Sequence, residues 1–460
     1  MATVAEALLE CLTEWDVQRI YGYPGDGING IHDAQESMGD QAPPFIQARH
    51  EEEAAFMAAA HGKWTGEPGV CMATSGPGAI HLLNGLYDAK LDRSPVVAIV
   101  GQQAATAMGG SYQQEVDLNS LFKDVCSDYL VTVSTPQQIP MVVDRAFRTA
   151  KGRMAPTCII IHADVQEQEY VDPPHEFKMV PGSRGYTKPR IIPPEAQLEE
   201  AARILNEGER VAILIGQGAA GAADEVPEAA ERLGAGVAKA LLGKDVLPDT
   251  LPYVTGSIGL LGTKPSWDMM MNCDTLLMIG SNLPYSHFLP EWGQARGVQI
   301  DISAHNIGLR YPMDVNLIGD AKDTLSALLP KLQQRSDRSW RHEIEQGVAD
   351  WWKVVEARAH QEGHPVNPQF AFWELNKRLP DDVIITADSG SGTNWFARDL
   401  QIRKGMRASL SGTLATMGPA VPYAEAAKWC YPDRPVIACV GDGAMQMIGI
   451  NALISIAKYW

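Results

Sequence analysis

Cysteine is scarce in this sequence and shows no pattern. Among the 460 residues are seven cysteines: Cys11, Cys71, Cys126, Cys158, Cys273, Cys430 and Cys439. None belongs to a C-x-x-C pair, and several lie in apolar runs such as "CMAT" and "TCIII". This usage is typical of small core residues in a reducing compartment. The sequence therefore gives no support to a disulfide-stabilised secreted scaffold or to a cysteine-rich zinc site.

Basic charge and long apolar runs are also lacking. Lysine and arginine number 38 against 56 acidic residues, a net charge of −18, so no basic field favours nucleic acid or an anionic membrane. No run of about 18 apolar residues predicts a membrane span. The start, "MATVAEALLECLTEW", lacks the features of a signal peptide. We expect a cytoplasmic protein without a nucleic-acid partner or transmembrane segment, although a local pocket could take a small anionic substrate.

Short apolar runs that end in Gly, Ser, Thr or Asp recur along the chain, among them "VVAIVGQ", "VAILIGQG" and "VIACVGDG". Runs that are apolar on both faces indicate parallel strands covered by helices. Helical stretches such as "PEAQLEEAARILNEG" lie between them. This alternation predicts an α/β fold with parallel sheets.

Two breaks divide this pattern into three consecutive α/β domains. The first break, residues 171–194, is rich in Pro and Gly, and the second, residues 333–368, is polar and partly helical. We predict domains over residues 1–170, 193–332 and 369–460. The third has only two clear strand patterns, fewer than a typical α/β sheet, and we expect it to be incomplete.

A polar helix start and a glycine turn stand out in the first domain. "RHEEEAAFMAAA" places His50 and Glu51 at the start of an Ala-rich helix, and a plain helix-start role for its three glutamates is the alternative. Thr74, Gly76 and Pro77 lie in a tight turn between a strand and a helix, where backbone N–H groups could face a ligand.

The second domain contains G-x-G-x-x-G at Gly216, Gly218 and Gly221, directly after a strand. A dinucleotide fingerprint needs an acidic residue about 20 positions further on, and "GVAKALL" provides none there. A glycine turn and NAD binding remain equally open on this evidence.

The third domain has "ADSGSGTNWF" (387–396) and "VGDGAMQM" (440–447), each after an apolar strand. Two polar turns at the carboxyl ends of strands in one sheet mark the usual ligand site of open α/β folds.

Together these stretches resemble the thiamine diphosphate (ThDP) enzymes of the pyruvate oxidase and acetolactate synthase type. "RHEEEAAFMAAA" is similar to the catalytic glutamate helix of that family, and "TSGPGAIHLLNGLYDAKLDRSPVVAIVGQ" looks close to pyruvate oxidases. "SYQQE", "DSGSGTNWF", "TMGPAVPYAEAA" and "GDGAMQM" match its substrate, diphosphate, cofactor-bending and metal segments in order.

The resemblance implies ThDP- and Mg²⁺-dependent decarboxylation of a 2-oxo acid, pyruvate above all, with electrons passed from the resulting enamine to FAD. Acetolactate synthase-like carboligation is the first alternative, and a non-catalytic binding or assembly fragment is the second. The resemblance also implies a homodimer or homotetramer, in which the Glu51 domain faces the diphosphate domain of a second chain.

The resemblance assigns roles to individual residues. Glu51 would hydrogen-bond the aminopyrimidine ring, Gln114 would face the substrate, and Asp442 would bind Mg²⁺. Lys123 would add local positive charge, unless it is a solvated surface lysine. Glu52 and Glu53 are expected to be helix-start charges. Gln113 replaces the usual Phe, which bears on substrate preference.

The expected cofactor contacts form a longer set. For ThDP they are Thr74, Gly76, Pro77, Asn84, Ser391, Gly392, Ala415, Met417, Gly441, Gly443 and Ala444. Met417 would lie under the bent cofactor, and the Ala415 carbonyl, where relatives have Gly, would hold the pyrimidine amino group. For FAD they are Gly216, Ser281, Asp301 and Asp320.

The family's metal motif continues to an Asn-Asn pair roughly thirty residues after Gly-Asp-Gly, whereas 17 residues follow Gly443 here. Because Mg²⁺ depends on a near-octahedral set of oxygen ligands, the resemblance implies a C-terminally truncated chain that holds Mg²⁺-ThDP weakly.

Overall fold

The apolar runs form three sheets in a computed structural model that describes residues 2–460. The first sheet has six parallel strands in the order β2-β1-β3-β4-β6-β5. Its strands are β1 Ile20–Gly22, β2 Phe45–Gln47, β3 Gly69–Ala73, β4 Val96–Gln102, β5 Leu130–Val133 and β6 Pro156–His162. Its helices are α1 Val4–Glu14, α2 Asn29–Met38, α3 Glu51–Thr65, α4 Pro77–His81, α5 Leu83–Leu91, α6 Leu118–Phe122, α7 Ile139–Arg153 and α8 Ala163–Gln166.

The second sheet also has six parallel strands, in the order β12-β11-β10-β7-β8-β9. Its strands are β7 Val211–Ile215, β8 Gly236–Lys239, β9 Val254–Ser257, β10 Thr275–Ile279, β11 Arg296–Asp301 and β12 Val315–Ile318. The helices along this part of the chain are α9 Glu195–Glu207, α10 Glu225–Leu233, α11 Lys264–Asn272 and α12 Ala321–Leu328.

The third sheet is small, with three strands in the order β14-β13-β15. They are β13 Ile384–Ala387, β14 Arg407–Leu410 and β15 Val436–Cys439. The remaining helices are α13 Ser339–Ala359, α14 Pro368–Asn376, α15 Ser391–Arg398, α16 Ala420–Cys430, α17 Asp442–Ala444 and α18 Ile450–Tyr459. The predicted class, three consecutive parallel α/β domains, is confirmed.

Contacts divide the chain into two compact units. The first comprises residues up to Lys188 together with Thr386–Ser389 and Leu410–Trp460, and the second comprises Pro189–Ile385 and Gly390–Ser409. Within the second unit, the segment Gly390–Ser409 is bound by the buried Lys244. Its Nζ donates to the carbonyl oxygens of Ala397 and Leu400, at 3.2 and 2.9 Å. Within residues 2–460, no helix has both the length and the apolarity needed to cross a bilayer.

Helix α3 lies at the centre of the first unit. Twelve of its fifteen residues are buried, as expected for a helix surrounded by protein. Neighbouring elements approach it at glycines: a Cβ on Gly85 would lie 2.5 Å from Ala55 Cβ, and one on Gly69 would overlap the Ala58 carbonyl oxygen. The alanines of α3 therefore allow close packing that larger side chains would prevent.

Two carboxyl groups, Glu53 on α3 and Glu425 on α16, are buried against each other in the first unit. The Glu53 carboxyl accepts hydrogen bonds from the Arg49 N–H at 2.8 Å and the Ser455 hydroxyl at 2.8 Å. Burial and the neighbouring Glu53 carboxyl raise the pKa of Glu425 to about 9, and burial also raises the pKa of Glu53. The raised pKa favours the protonated, neutral form of Glu425 at neutral pH. Glu53 was expected to be a helix-start charge, but its carboxyl is buried beside Glu425.

This pair makes stability depend on pH. Folding raises the pKa of the Glu425 carboxyl group. Its contribution to the stability of the native state is therefore complete at pH values below the pKa that it has in the unfolded chain, and is lost as pH rises towards 9. Glu425→Gln keeps the size and polarity of the side chain but removes its ionisation. We expect Glu425→Gln to be more stable than the parent protein at pH 8–9 by about 1–3 kcal/mol, the cost of an unsatisfied buried polar group, measured by thermal unfolding across pH 5–9.

The control is Glu36→Gln, because Glu36 is exposed on α2. Its unfolding profile should overlay that of the parent protein. Parallel pH profiles for the parent and Glu425→Gln would contradict a raised pKa for Glu425.

Candidate active site

Helix α3 presents Glu51 as its first residue. His50 is the N-cap, and its Nδ1 accepts from the Glu52 N–H at 3.1 Å. Glu51 is only 8% exposed. Its carboxyl group is therefore held at the N-terminus of a buried helix, and its role in proton exchange stays a prediction.

Helix α4 covers this carboxyl group. His81 Nδ1 lies 2.9 Å from Glu51 Oε2, and the His81 ring stacks on the His50 ring with centroids 4.5 Å apart. A Cβ on Gly78 would lie 3.1 Å from Glu51 Oε1, so the glycine keeps space beside the acid. Sequence reasoning quoted His81 within a matching stretch without singling it out, because spacing along the chain does not show that α4 folds back onto α3.

The predicted turn between β3 and α4 meets Gln114. Gly76 has φ +58° and Gln114 has φ +62°, and a Cβ on Gly76 would lie 2.8 Å from Gln114 Cβ. The Ser75 hydroxyl donates to Gln114 Oε1 at 2.9 Å. Gln114 is therefore held at this turn by its neighbours, and its contact with substrate stays a prediction.

The other predicted residues of this region have different surroundings. Thr74 Oγ1 accepts from the Gly27 N–H at 2.9 Å and donates to Asp26 Oδ1 at 3.3 Å, so Thr74 binds the connection between β1 and α2. Pro77 is the first residue of α4, where a missing N–H has no cost. Lys123 is exposed after α6.

The segment before α16 contains two residues with a positive φ angle. Ala415 has φ +55° and Gly418 has φ +110°, and the left-handed region costs a non-glycine residue roughly 1 kcal/mol. Asn84 Nδ2 donates to Glu52 Oε1 at 2.6 Å and to Thr416 Oγ1 at 3.0 Å. The Asn84 side chain therefore connects the start of α3 to this segment.

Asp388 anchors the end of the same segment. Its Oδ1 accepts from the Gly418 N–H at 2.7 Å, and burial raises the pKa of Asp388 to about 6. Sequence reasoning quoted "ADSGSG" for its glycines and missed this aspartate. Its position directly after a buried strand was the available signal.

The Gly-Asp-Gly turn lies beside Met417. Gly441 precedes α17, and Asp442 is its exposed first residue. A Cβ on Gly443 would lie 3.1 Å from Met417 Cε, while Ala444 is buried. A π-helical turn, Met445–Gly449, then leads into α18, and such turns occur frequently at functional sites.

Ser391 and Gly392 belong to the second unit, at the start of α15. Gly390 before them has φ +117°. Their predicted role in binding phosphate stays a prediction, as do those of Gly443 and Ala444.

Four neighbouring strands of the second sheet end at the predicted flavin residues. Gly216 follows β7, Ser281 comes after β10, Asp301 ends β11, and Asp320 comes after β12. The hydroxyl of Ser281 is buried without a hydrogen-bond partner among residues 2–460. Asp320 also accepts from Lys322 and Asp323 N–H groups as the N-cap of α12.

The G-x-G-x-x-G motif has a packing explanation. A Cβ on Gly216 or Gly218 would lie 2.4 or 2.8 Å from atoms of Gly280, whereas one on Gly221 would meet nothing within 4 Å. The first two glycines therefore let the turn after β7 pack on the turn after β10.

Comparison with known protein families identifies the class. Residues 2–121 match the N-terminal TPP binding domain of thiamine pyrophosphate enzymes, 198–328 match the central domain, and 388–460 match the C-terminal TPP binding domain. Thiamine pyrophosphate is another name for ThDP. The chain belongs to the thiamine pyrophosphate enzyme family.

Particular relatives are similar over almost the whole chain. YdaP of Bacillus subtilis, described as a thiamine pyrophosphate-containing protein, is 35% identical over 457 residues, which are 99% of this chain and 78% of that protein. Pyruvate oxidase of Lactiplantibacillus plantarum is 32% identical over 96% of this chain and 72% of its own length. The acetolactate synthase large subunit of Corynebacterium glutamicum is 32% identical over 97% of this chain and 71% of its own length.

The residues of the first unit fit ThDP. Glu51 offers a buried carboxyl group for a ring nitrogen, Gly78 leaves space beside it, and the positive φ of Ala415 bends the backbone before Met417. Met417 is a long apolar side chain, suited to contact with a ring. Asp442 offers oxygen atoms, which Mg²⁺ prefers.

We expect Glu51→Gln to slow exchange of the thiazolium C2 proton of bound ThDP by about 10²- to 10⁴-fold, the usual loss for a positioned acid–base group. Binding of ThDP should change far less, because Gln retains a polar contact. Nuclear magnetic resonance measures the exchange, and calorimetry measures the binding. Glu67→Gln, at an exposed ion pair with Lys151, is the control, and parental exchange in Glu51→Gln would exclude the assigned role.

Proposed function

We propose that this protein decarboxylates a 2-oxo acid, pyruvate first among the candidates, with ThDP and Mg²⁺, and passes the two electrons to FAD. One arrangement carries the proposal: Glu51, the Gly76–Gln114 turn and the segment with Met417 lie in one unit. Asn84 connects that segment to the start of α3. The similarity to pyruvate oxidase supports the choice of substrate and reaction.

Individual side chains of this protein would have separate roles in the reaction. When bound, ThDP supplies an acidic C–H whose conjugate base adds to the 2-oxo group. Glu51 would hold the pyrimidine ring and take part in its proton exchange. Gln114 would contact the substrate, and Met417 would support the ring above it. Asp442 would bind Mg²⁺.

The second unit would hold the flavin. Gly216, Ser281, Asp301 and Asp320 end four neighbouring parallel strands, and ligands of open α/β sheets bind at such strand ends. The buried hydroxyl of Ser281 supports the assignment, because a buried donor requires an acceptor. NAD binding loses its main argument, because packing on Gly280 accounts for two of the three motif glycines.

Carboligation of two 2-oxo acids is the second candidate, because acetolactate synthases are as similar to this chain as pyruvate oxidase is. Gln113, in place of the usual Phe, bears directly on this choice. We also propose domain limits near residues 170, 193, 332 and 369, a cytoplasmic location and a homo-oligomer.

The purified protein, supplied with ThDP, Mg²⁺ and FAD, should oxidise pyruvate with ferricyanide. The balance is pyruvate plus water plus two ferricyanide ions to acetate, CO₂, two ferrocyanide ions and two protons. Acetolactate formed without ferricyanide reduction would favour the second candidate. Release of CO₂ and acetaldehyde would indicate a flavin-free decarboxylase, and no turnover of any 2-oxo acid would favour a binding role.

Flavin binding can be tested separately. The purified protein should retain FAD, and Ser281→Val should lower its flavin content, because Val places an apolar group at the proposed contact. Absorbance after gel filtration measures the bound flavin. Ser326→Ala, on the exposed side of α12, is the control. A folded parent protein that retains no flavin after incubation with excess FAD would rule out the proposed flavin site.

A further inference from the structure

Two backbone N–H groups of the segment before α16 are bound by one buried carboxylate. Asp92, directly after α5, accepts from the Gly412 N–H through Oδ2 and from the Thr413 N–H through Oδ1, both at 2.8 Å. Its side chain is fully buried. Hydrogen bonds to a buried charged acceptor are the stronger kind, so these two residues have little freedom. We call residues 410–418 the cofactor segment.

Lys63, near the end of α3, binds both Asp92 and the same segment. Its Nζ donates to Asp92 Oδ2 at 2.7 Å and to the Leu410 carbonyl oxygen at 2.8 Å. The Lys63 side chain is 5% exposed. The ammonium therefore neutralises the carboxylate away from water and adds a third contact to the cofactor segment.

A second buried acid completes this cluster. Asp88 on α5 lies 3.6 Å from Lys63 Nζ, accepts from the Tyr423 hydroxyl, and lies beside the Ser411 side chain. Ser411 Oγ in turn accepts from the Thr416 N–H at 3.2 Å. The contacts thus continue from the buried charges to the residue directly before Met417.

The conformation that these contacts hold is one that the segment would not adopt alone. Ala415 lies in the left-handed region at φ +55°, which is unfavourable for a residue with a Cβ. Strained backbone persists where the surrounding structure over-determines it. Lys63, Asp88 and Asp92 provide that surrounding structure on one side of the segment.

We propose that Asp92 and Lys63 are positioning residues that pre-order the cofactor segment, so that the Ala415 carbonyl and the Met417 side chain are in place before ThDP binds. The proposal rests on the proposed function for the identity of the ligand. Neither side chain need touch the cofactor. A segment that is ordered in advance loses less conformational entropy on binding, and this raises affinity.

The test compares Asp92→Asn with the parent protein. Asn retains one acceptor oxygen and loses the charge, so one N–H group loses its acceptor and Lys63 loses one of its partners. Without ligand, amide hydrogen exchange of residues 410–416 should become at least tenfold faster. The dissociation constant for ThDP with Mg²⁺, measured by calorimetry, should rise about 10- to 100-fold, whereas the KM for the 2-oxo acid at saturating ThDP should stay within about twofold.

The matched control is Asp124→Asn. Like Asp92, Asp124 is a carboxylate bound to a lysine, in this case Lys90 of α5. Lys90 Nζ lies 3.0 Å from Asp124 Oδ1, but Asp124 is largely exposed and binds no part of the cofactor segment. This variant should match the parent protein in amide exchange and ThDP affinity.

Ser411→Ala is a second test of the proposal, which applies even if Asp92→Asn does not fold. It removes only the hydroxyl group that accepts from the Thr416 N–H, so the fold should persist while the Thr416 amide exchanges faster and ThDP affinity falls severalfold. Parental amide exchange in folded Asp92→Asn and Ser411→Ala would overturn the proposal. So would parental ThDP affinity in both variants.

Failure of the proposed function gives a different pattern. If the parent protein binds no ThDP, the ligand assignment fails, while faster exchange of residues 410–416 in Asp92→Asn would still show that the segment is pre-ordered by this cluster.

Discussion

The first unit depends on the complete burial of helix α3. Small alanine side chains let α5, β3 and α16 pack closely around it, and glycines at the contact points remove the remaining obstruction. A helix packed in this way cannot shift without disturbing each neighbour. Glu51 at its first turn and Lys63 at its last are therefore held at a fixed separation. The proposed catalytic residue Glu51 and the proposed positioning residue Lys63 therefore lie on one rigid element.

Buried charged side chains are the second constraint. They bind backbone groups of an irregular segment and do not serve to fill the apolar core. Asp92 and Lys63 bind backbone groups of the cofactor segment, and Asp388 binds the Gly418 N–H at its other end. A buried ion pair adds little net stability compared with an apolar contact, but removing one partner is costly. Such groups define a single conformation of a segment that has no regular secondary structure of its own.

Local pattern predicted the elements and, through resemblance, the family. The apolar runs formed strands of parallel sheets because a strand covered on both faces must be apolar throughout. The short strand Arg407–Leu410 was not predicted, because it has charged and polar residues and is too short to show a period. The glycine motif after β7 was ambiguous for a related reason: a glycine that permits packing and a glycine that faces a phosphate are identical in sequence.

The sequence by itself determined the α/β class, the three successive domains of the family, and the candidate roles of Glu51, Met417 and Asp442, because these depend on residue type and local spacing. Only the tertiary structure decided which distant groups meet. His81 lies against Glu51, Glu425 lies beside Glu53, and Asp92 binds Gly412. These contacts join residues that are 30 to more than 300 positions apart, and they form because helices α3, α4, α5 and α16 pack together, which no local pattern encodes.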